Sequence, residues 1–291
     1  MTLTRKPKDG LSHVMGDRNS PLLSLTIPQM LAQTVAQFGD REAVVFAEQS
    51  IRWSYCEFAD AVDDLAGGLL QSGIAPGDRV GIWSPNRVEW LLTQFATARI
   101  GAILVCVNPA YQKTELAYAL TKVGCKALVT ARQFKASNYI EMLTALAPEI
   151  ATGTPGALDL AALPELRDII AMGPDTPPGM TGFDALCARG KEVPPARLDA
   201  ITEGLDPGDA INIQFTSGTT GNPKGACLGH RNIVNNAHFV TATMRFTEAD
   251  RLCIPVPFYH CFGMVMGTLG FRAFLLNKCS RKLAAVLSPS S

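Results

Sequence analysis

The sequence lacks the features that mark several large classes of protein. Lys and Arg total 26, as do Asp and Glu, so the formal net charge is zero. Without an excess of positive charge the chain has no electrostatic footprint for nucleic acid or for an anionic membrane surface. Its longest apolar run, residues 100–107, is too short to span a bilayer. The polar N-terminus is not followed by an apolar signal segment, so we expect a cytoplasmic protein without a membrane span.

Metal-binding and disulfide patterns are also missing. Eight cysteines are present, but none forms a Cys-x-x-Cys pair, and the four histidines show no metal-ligand spacing. Cys106 lies inside the apolar run ILVCV, and we expect the cysteines to be mainly buried free thiols in a reducing compartment. The sequence therefore predicts no protein-bound metal.

Short β-like runs alternate with amphipathic helical stretches along most of the chain. Pro28 begins a predicted helix, and Ser54 with Glu57 forms a capping box at the start of another. Strands are predicted at 79–83, 103–107, 127–130, 168–172 and 211–215, and helices at 88–98, 114–123 and 230–244. Strands separated by helices of this length predict an α/β fold with mostly parallel sheets and flanking helices.

One loop carries the clearest chemical signal. It follows the predicted strand at 211–215 and precedes a predicted helix, a setting in which backbone N–H groups can hold phosphate. Its glycines allow close backbone approach, its hydroxyls can donate to phosphate oxygens, and its lysine supplies a positive charge. The candidate phosphate-binding residues are Thr216, Ser217, Gly218, Thr219, Thr220, Gly221, Asn222, Pro223 and Lys224.

Two familiar loop motifs do not fit this segment. The Walker A spacing requires a glycine directly before the lysine, but Pro223 occupies that position. Ser217 lacks the flanking glycines of a nucleophile elbow. A flexible Gly/Thr linker is the simpler alternative, but such a linker rarely joins a clean apolar strand to a helix.

The loop TSGTTGNPKG resembles the signature of the adenylate-forming (AMP-binding) superfamily, which includes acyl-CoA synthetases, luciferases and peptide-synthetase adenylation domains. The following GHRNIVNN and VPFYHCFGMVMG segments resemble the next motifs of that family. Upstream, WSPN at 83–86 and NPAY at 108–111 resemble the fatty-acyl-CoA synthetase branch. The resemblance covers residues 25–270 and implies an N-terminal domain of the adenylate-forming fold.

The resemblance implies a two-step reaction. A carboxylate, with a fatty acid favoured, attacks the α-phosphate of ATP in the presence of Mg²⁺, giving acyl-AMP and pyrophosphate, and the thiol of coenzyme A then displaces AMP. Residues 216–224 would stabilise the charge on the departing pyrophosphate. His260 would line the mouth of the acyl pocket, and Phe258, Tyr259 and Phe262 suit an apolar wall. The alternative for His260 is an ordinary buried histidine.

The resemblance also divides the chain. It implies an N-terminal extension at 1–24, a partial AMP-binding domain at 25–270 with a looser junction at about 148–205, and a divergent tail at 271–291. The family's adenine-stacking motif and its adenylation lysine have no counterpart here, so no catalytic residue is assigned. We therefore expect a truncated ligase that is inactive alone, with a companion chain able to carry the missing part. The alternative is a non-catalytic remnant, or a module that binds nucleotide or a partner.

Four residues near the motifs are expected to have ordinary roles. His230 and Arg231 open the helix after the loop and are predicted to face solvent. Cys227 and Cys261 are predicted to be packing residues, because nothing in the sequence pairs them with a base.

Overall fold

The computed structural model describes residues 20–216 and 223–270, together with the backbone of residues 275–278. The described chain forms the following helices: α1 (Ile27–Phe38), α2 (Tyr55–Gln71), α3 (Val88–Arg99), α4 (Lys113–Val123), α5 (Tyr139–Leu146), α6 (Phe183–Gly190), α7 (Pro195–Glu203) and α8 (His230–Thr243). Short 3-10 helices span Ala47–Gln49 and Pro148–Thr152, and a π-helix spans Phe262–Leu269.

The strands of the described chain are β1 (Glu42–Phe46), β2 (Ile51–Ser54), β3 (Arg79–Trp83), β4 (Ile103–Cys106), β5 (Cys125–Thr130), β6 (Gln133–Phe134), β7 (Ser137–Asn138), β8 (Asp168–Ala171), β9 (Thr181–Gly182), β10 (Ala210–Thr216), β11 (Lys224–Gly229), β12 (Arg251–Cys253) and β13 (Leu275–Lys278). The predicted strand at 79–83 and the helix starting at residue 88 are confirmed.

A seven-stranded sheet organises the fold. Its order is β11-β10-β4-β3-β5-β8-β9, and every neighbouring pair is parallel except β10 with β11. A smaller four-stranded sheet has the order β12-β13-β1-β2, in which β1 and β2 are antiparallel. The prediction of an α/β fold with mostly parallel sheets is confirmed. Parallel strands share one carboxyl edge, so the loops after β3, β4 and β10 lie along the same edge.

Local sequence signals fix several helix ends. Ser54 Oγ accepts a hydrogen bond from Glu57 N at 3.2 Å, while Glu57 Oε2 accepts one from Ser54 N at 2.7 Å. This is the predicted capping box at the start of α2, and it satisfies two backbone donors that the helix itself leaves unpaired. At the other end of a helix, Gly124 takes the left-handed conformation with φ of 60° and ends α4.

Helix α3 lies at the centre of the core. Trp90 and Phe95 are fully buried, and the ring of Phe95 meets that of Phe58 from α2 edge-on, with centroids 5.2 Å apart. Helices α2 and α6 are in backbone contact, because a Cβ at Gly190 would lie 1.7 Å from the carbonyl oxygen of Asp64. The glycines at this crossing therefore let two helices approach more closely than larger residues would allow.

Parts of the chain differ from the sequence-based expectations. Residues 148–205 contain the predicted strand as β8, but they also form α6 and α7, which their Gly- and Pro-rich composition did not predict. Strand β11 was not predicted either, since its small residues show no alternation. It exists because it pairs with β10 along the edge of the sheet.

Two predictions about individual side chains are wrong. His230 is buried rather than facing solvent, since its Nδ1 accepts a hydrogen bond from Ile27 N, the first amide of α1, at 3.1 Å. Cys227 and Cys261 are exposed rather than packed. Cys106 and Cys125 are buried as expected, but Cys56 and Cys253 are exposed as well, so the expectation of mainly buried cysteines is wrong. None of the seven cysteines in the described residues forms a disulfide.

Candidate functional site at the carboxyl edge of the sheet

The β10–β11 hairpin brings the two ends of the predicted phosphate loop together. Thr216 pairs with Lys224 across the hairpin, and Thr216 Oγ1 donates to the Lys224 carbonyl at 3.4 Å. Both residues are exposed at the carboxyl edge of the sheet. Ser217, Gly218, Thr219, Thr220, Gly221 and Asn222 lie outside the described residues. The structure therefore locates the two ends of the loop, and the contacts of the loop itself stay a prediction.

A group of tyrosines lies beside the second end of the loop. Tyr118 from α4 donates its hydroxyl to the Pro223 carbonyl at 3.3 Å. Burial raises the pKa of Tyr111, and the nearby Glu115, Tyr259 and Tyr118 add to the effect. The Tyr111 hydroxyl is therefore neutral at physiological pH and can serve as a hydrogen-bond donor. Sequence reasoning noted the NPAY motif but missed this grouping, because α4 gives no sequence signal of its proximity to the loop.

The second predicted motif forms what we call the acyl-side segment, residues 255–262. His260 is exposed, and its Nδ1 accepts a hydrogen bond from Phe262 N at 3.2 Å. In the neutral ring the proton is then on Nε2, which leaves a donor available to a ligand. Cys261 Sγ lies 4.0 Å from the same Nδ1. Tyr259 is half-buried, with its ring 6.5 Å from the ring of His260.

Phe258 is placed differently from its neighbours. Only 3% of it is exposed, and its ring packs against Trp90 at 5.3 Å and Phe46 at 6.3 Å between centroids. The ring therefore contributes to the core that anchors the segment. These ring contacts do not test whether Phe258 also touches an acyl chain, so that role stays a prediction.

An apolar cavity of about 230 Å³ lies between α8, β12 and the π-helix. Phe262, which is 46% exposed, forms part of its wall two residues after His260. The remaining lining residues are Val240, Thr241, Met244, Phe246, Leu252, Cys253, Ile254, Pro255, Val256, Met266 and Gly267. A cavity with these walls suits a hydrocarbon chain. Sequence reasoning found Phe262 but missed the α8 wall, because α8 follows the phosphate loop and carried no acyl-site signal of its own.

Side-chain amides hold the backbone of this region in place. Asn86, in the loop after β3, donates from Nδ2 to the Val256 carbonyl at 2.8 Å and accepts from Phe258 N at 2.7 Å. Gln214 in β10 donates from Nε2 to the Tyr259 carbonyl. These bonds fix the acyl-side segment against the carboxyl edge that carries the phosphate loop.

A further cavity, of about 440 Å³, opens at the carboxyl edge beyond β3, β5 and β8. Arg87 and Arg132 are among its lining residues. Arg87 is paired with Glu89 at 2.7 Å, whereas one N–H of Arg132 donates to the Asp175 carbonyl at 2.6 Å. The cavity therefore offers a guanidinium to a ligand that carries phosphate groups.

The described residues do not fit a protein-bound metal ion. No three His, Cys, Asp or Glu side chains within them come together as a possible metal site. The Mg²⁺ that the family resemblance implies is therefore not assigned to side chains of the described residues.

A mostly parallel α/β sheet with the β10–β11 hairpin at its edge defines the class: an N-terminal domain of the adenylate-forming fold. The AMP-binding enzyme family matches residues 31–274. The chain therefore belongs to the AMP-binding enzyme family.

Curated relatives support the same family. The chain is 44% identical over 267 residues to the mitochondrial medium-chain acyl-CoA ligase ACSF2 of Mus musculus, covering 90% of this chain and 43% of that protein. Its identity to the protein of the same name from Danio rerio is 46% over 258 residues, covering 88% and 42%. The chain thus spans less than half the length of these relatives.

Solved structures confirm the fold. An anthranilate CoA ligase in complex with anthranoyl-AMP superposes with a TM-score of 0.73 at 18% identity, covering 94% of this chain and 49% of that one. The N-terminal domain of FACL13 from Mycobacterium tuberculosis gives a TM-score of 0.69 at 23% identity, covering 88% and 57%. Within the described residues of this chain, no helix is both long and apolar enough to cross a membrane.

Proposed function

We propose that the chain supplies the pyrophosphate-holding and acyl-binding parts of an ATP-dependent fatty-acyl-CoA ligase. The carboxylate of the acid attacks the α-phosphate of ATP, forming acyl-AMP and releasing pyrophosphate. The thiol of coenzyme A then attacks the acyl carbon and displaces AMP. Membership of the AMP-binding family and the names of its acyl-CoA ligase relatives support this reaction.

The observation that carries the proposal is the relation between the hairpin and the acyl-side segment. Thr216 and Lys224 close the signature loop at the carboxyl edge, and Gln214, two residues earlier, bonds directly to the Tyr259 carbonyl. A polyphosphate at the loop after β10 would therefore lie next to a carboxylate bound near His260 of the acyl-side segment. Placing two reactants side by side is a large part of what an enzyme of this kind has to do.

The residues would have distinct roles in the first step. Backbone N–H groups and hydroxyls of residues 216–222, with the ammonium group of Lys224, would stabilise negative charge on the departing pyrophosphate. His260 would donate from Nε2 at the mouth of the acyl site. Phe262 and the cavity beside it would bury the alkyl chain, and the favourable free energy of that burial would favour fatty acids over short polar acids.

The proposal extends to the chain length of the acid and to the site of coenzyme A. A medium-chain acid is the substrate we propose, because the relatives are named for that class. The phosphates of coenzyme A would meet Arg132 in the cavity beyond β5. The cytoplasmic location expected from the sequence stays a prediction, since the two acyl-CoA ligase relatives described above are named as mitochondrial.

Binding of fatty acids by the purified chain tests the proposal. Displacement of a fluorescent fatty acid by hexanoate, decanoate and palmitate would be measured for the wild type and for Val240→Trp, whose indole would fill the cavity. Phe239→Trp is the matched control, because Phe239 is exposed on the same helix and does not line the cavity.

We expect saturable binding that Val240→Trp weakens at least about tenfold and Phe239→Trp leaves unchanged, since burial of even two methylene groups is worth about 1.6 kcal/mol. A wild type that binds nucleotide or pyrophosphate but no fatty acid would favour the alternative, a non-catalytic nucleotide-binding module.

A further inference from the structure

One wall of the apolar cavity is formed by the π-helix Phe262–Leu269, a type of helix that is rare in proteins and frequently lies at functional sites. Met266 and Gly267 of this helix line the cavity. Met264 and Thr268 of the same helix are buried, with 1% and 0% of their surfaces exposed. The position of the helix therefore determines where Met266 lies in relation to the cavity.

Glycines let the π-helix lie close to the chain that forms the neighbouring wall. A Cβ at Gly263 would clash with the carbonyl oxygen of Pro257, and one at Gly267 would lie 3.0 Å from two side-chain carbons of Ile254. Ile254 lines the cavity as well. A small shift or rotation of the helix would therefore change the width of the cavity between Ile254 and the helix.

Gln94 of α3 holds the buried side of the π-helix through both ends of its amide. Its Nε2 donates to the Met264 carbonyl at 3.4 Å, and its Oε1 accepts from Thr268 Oγ1 at 2.8 Å. Thr268 Oγ1 also contacts the Met264 carbonyl. We call these three residues the amide clamp. Because its two attachment points are four residues apart, the clamp fixes both the position and the rotation of the helix.

Stability alone does not account for the amide clamp. Gln94 is 3% exposed, so its amide gives up hydrogen bonds to water, and an apolar pair of the same shape can be equally stable or more stable. Hydrogen bonds depend on direction, whereas apolar contacts do not. The clamp therefore adds a fixed orientation of the helix. Helix α3 is a firm anchor for it, since Trp90, one turn before Gln94, is fully buried and packs against Phe258 at 5.3 Å.

We propose that Gln94 is a positioning residue for the selection of fatty acids by chain length. By holding Met264 and Thr268, it keeps Met266 and Gly267 packed against the alkyl chain. Close packing increases the affinity gained for each methylene group, because it removes more apolar surface from water and adds dispersion contacts. This inference rests on the proposed function, in which the cavity holds the alkyl chain of the acid.

The test measures how strongly binding depends on chain length. Displacement of a fluorescent fatty acid from the purified chain gives the dissociation constants of hexanoate and decanoate, which differ by four methylene groups. For the wild type we expect decanoate to bind about a hundredfold more tightly than hexanoate. Gln94→Leu removes both bonds of the amide, and we expect the ratio to fall to about tenfold or less, because the loosened wall packs less closely on the alkyl chain.

Thr268→Val breaks the amide clamp from the side of the π-helix with little change of shape. We expect the same fall in the ratio, so this variant carries the test if Gln94→Leu does not fold. The double variant, Gln94→Leu with Thr268→Val, separates orientation from stability. It should unfold at a higher temperature than Thr268→Val alone, which leaves Gln94 Oε1 buried and unpaired, while its ratio stays low.

Thr97→Val is the matched control. Thr97 is fully buried on α3, but its hydroxyl donates to carbonyls of the same helix, those of Thr93 at 2.8 Å and Gln94 at 3.1 Å. The substitution therefore removes a buried hydroxyl near Gln94 without changing the amide clamp. We expect Thr97→Val to keep the wild-type ratio of the two dissociation constants.

The outcomes separate this inference from the function on which it rests. A wild type that binds neither acid, or binds both equally, refutes the proposed use of the cavity and this inference together. A wild type that prefers decanoate, with Gln94→Leu and Thr268→Val keeping its ratio, refutes the role of Gln94 alone. So does a Thr97→Val ratio that falls as far as theirs, or a double variant whose ratio recovers with its stability.

Discussion

The buried side chain of His230 should make the free energy of unfolding depend on pH. The ring is fully buried at the start of α8, where Nδ1 accepts the first amide of α1 from Ile27. Nε2 is also buried and has no partner among the described residues. Burial lowers the pKa of His230 from 6.5 to about 4, and the carboxylate of Asp209 opposes this only in part. Protonation would also remove the acceptor that Ile27 N uses.

The sign of the effect follows from the direction of the pKa change. Between about pH 4 and 6.5 the unfolded chain binds a proton at this position that the folded chain does not, so stability falls as the pH falls through this window. A pKa lowered from 6.5 to about 4 corresponds to about 3 kcal/mol, at 1.36 kcal/mol for each pH unit. This loss of stability is absent above about pH 6.5 and reaches its full size near pH 4.

Denaturant unfolding at several pH values measures the effect. His230→Asn places an amide oxygen where Nδ1 was, so it can still accept from Ile27 N but does not titrate. We expect the free energy of unfolding of the wild type to drop by about 3 kcal/mol more than that of the variant between pH 7 and pH 4. Parallel pH profiles for the two proteins would refute the reasoning, because other titrating groups affect both equally.

Three further predictions concern the fold and the coenzyme. Gly190→Ala is expected to lower the free energy of unfolding by about 1–3 kcal/mol, because the new Cβ would lie 1.7 Å from the Asp64 carbonyl oxygen. Gly204→Ala is the control in the same unfolding assay, since its Cβ would meet no atom closer than 3.4 Å. Burial raises the pKa of Asp168, so ionisation of this carboxyl as the pH rises above about 4 lowers stability, against the opposite contribution of His230. In urea unfolding, the free energy of unfolding of Asp168→Asn should therefore increase relative to that of the wild type as the pH rises. Arg132→Gln should weaken coenzyme A binding about tenfold by calorimetry without changing pyrophosphate binding, and equal coenzyme A affinity would contradict a role for this cavity.

Much of the fold follows from short-range sequence signals. The Ser54–Glu57 capping box and the apolar run of β3 each depend on neighbouring residues, and both are found where the sequence predicts them. Strand β11 depends instead on its partner β10, and α6 depends on glycine contacts with α2 across more than a hundred residues. Such long-range partners leave no local periodicity, so sequence reasoning could not find these elements.

The same distinction applies to the site. The residues of the signature loop and His260 form recognisable runs, so they could be named from the sequence. The burial of His230 depends on Ile27, more than two hundred positions away, and the roles of Tyr118 and Gln214 depend on carbonyls that they meet only in the folded chain. Backbone acceptors have no sequence signature, which is why hydrogen bonds to them were not anticipated.

The most direct test of the account is a calorimetric titration of the purified chain with pyrophosphate. Lys224→Ala removes the loop's positive charge, and Lys122→Ala, an exposed lysine near the end of α4, is the matched control. We expect saturable binding by the wild type and by Lys122→Ala, with the affinity of Lys224→Ala lower by about tenfold or more, as for the loss of a hydrogen bond to a charged group. Absence of binding by the wild type, or equal affinity in Lys224→Ala, would contradict the claim that residues 216–224 hold pyrophosphate.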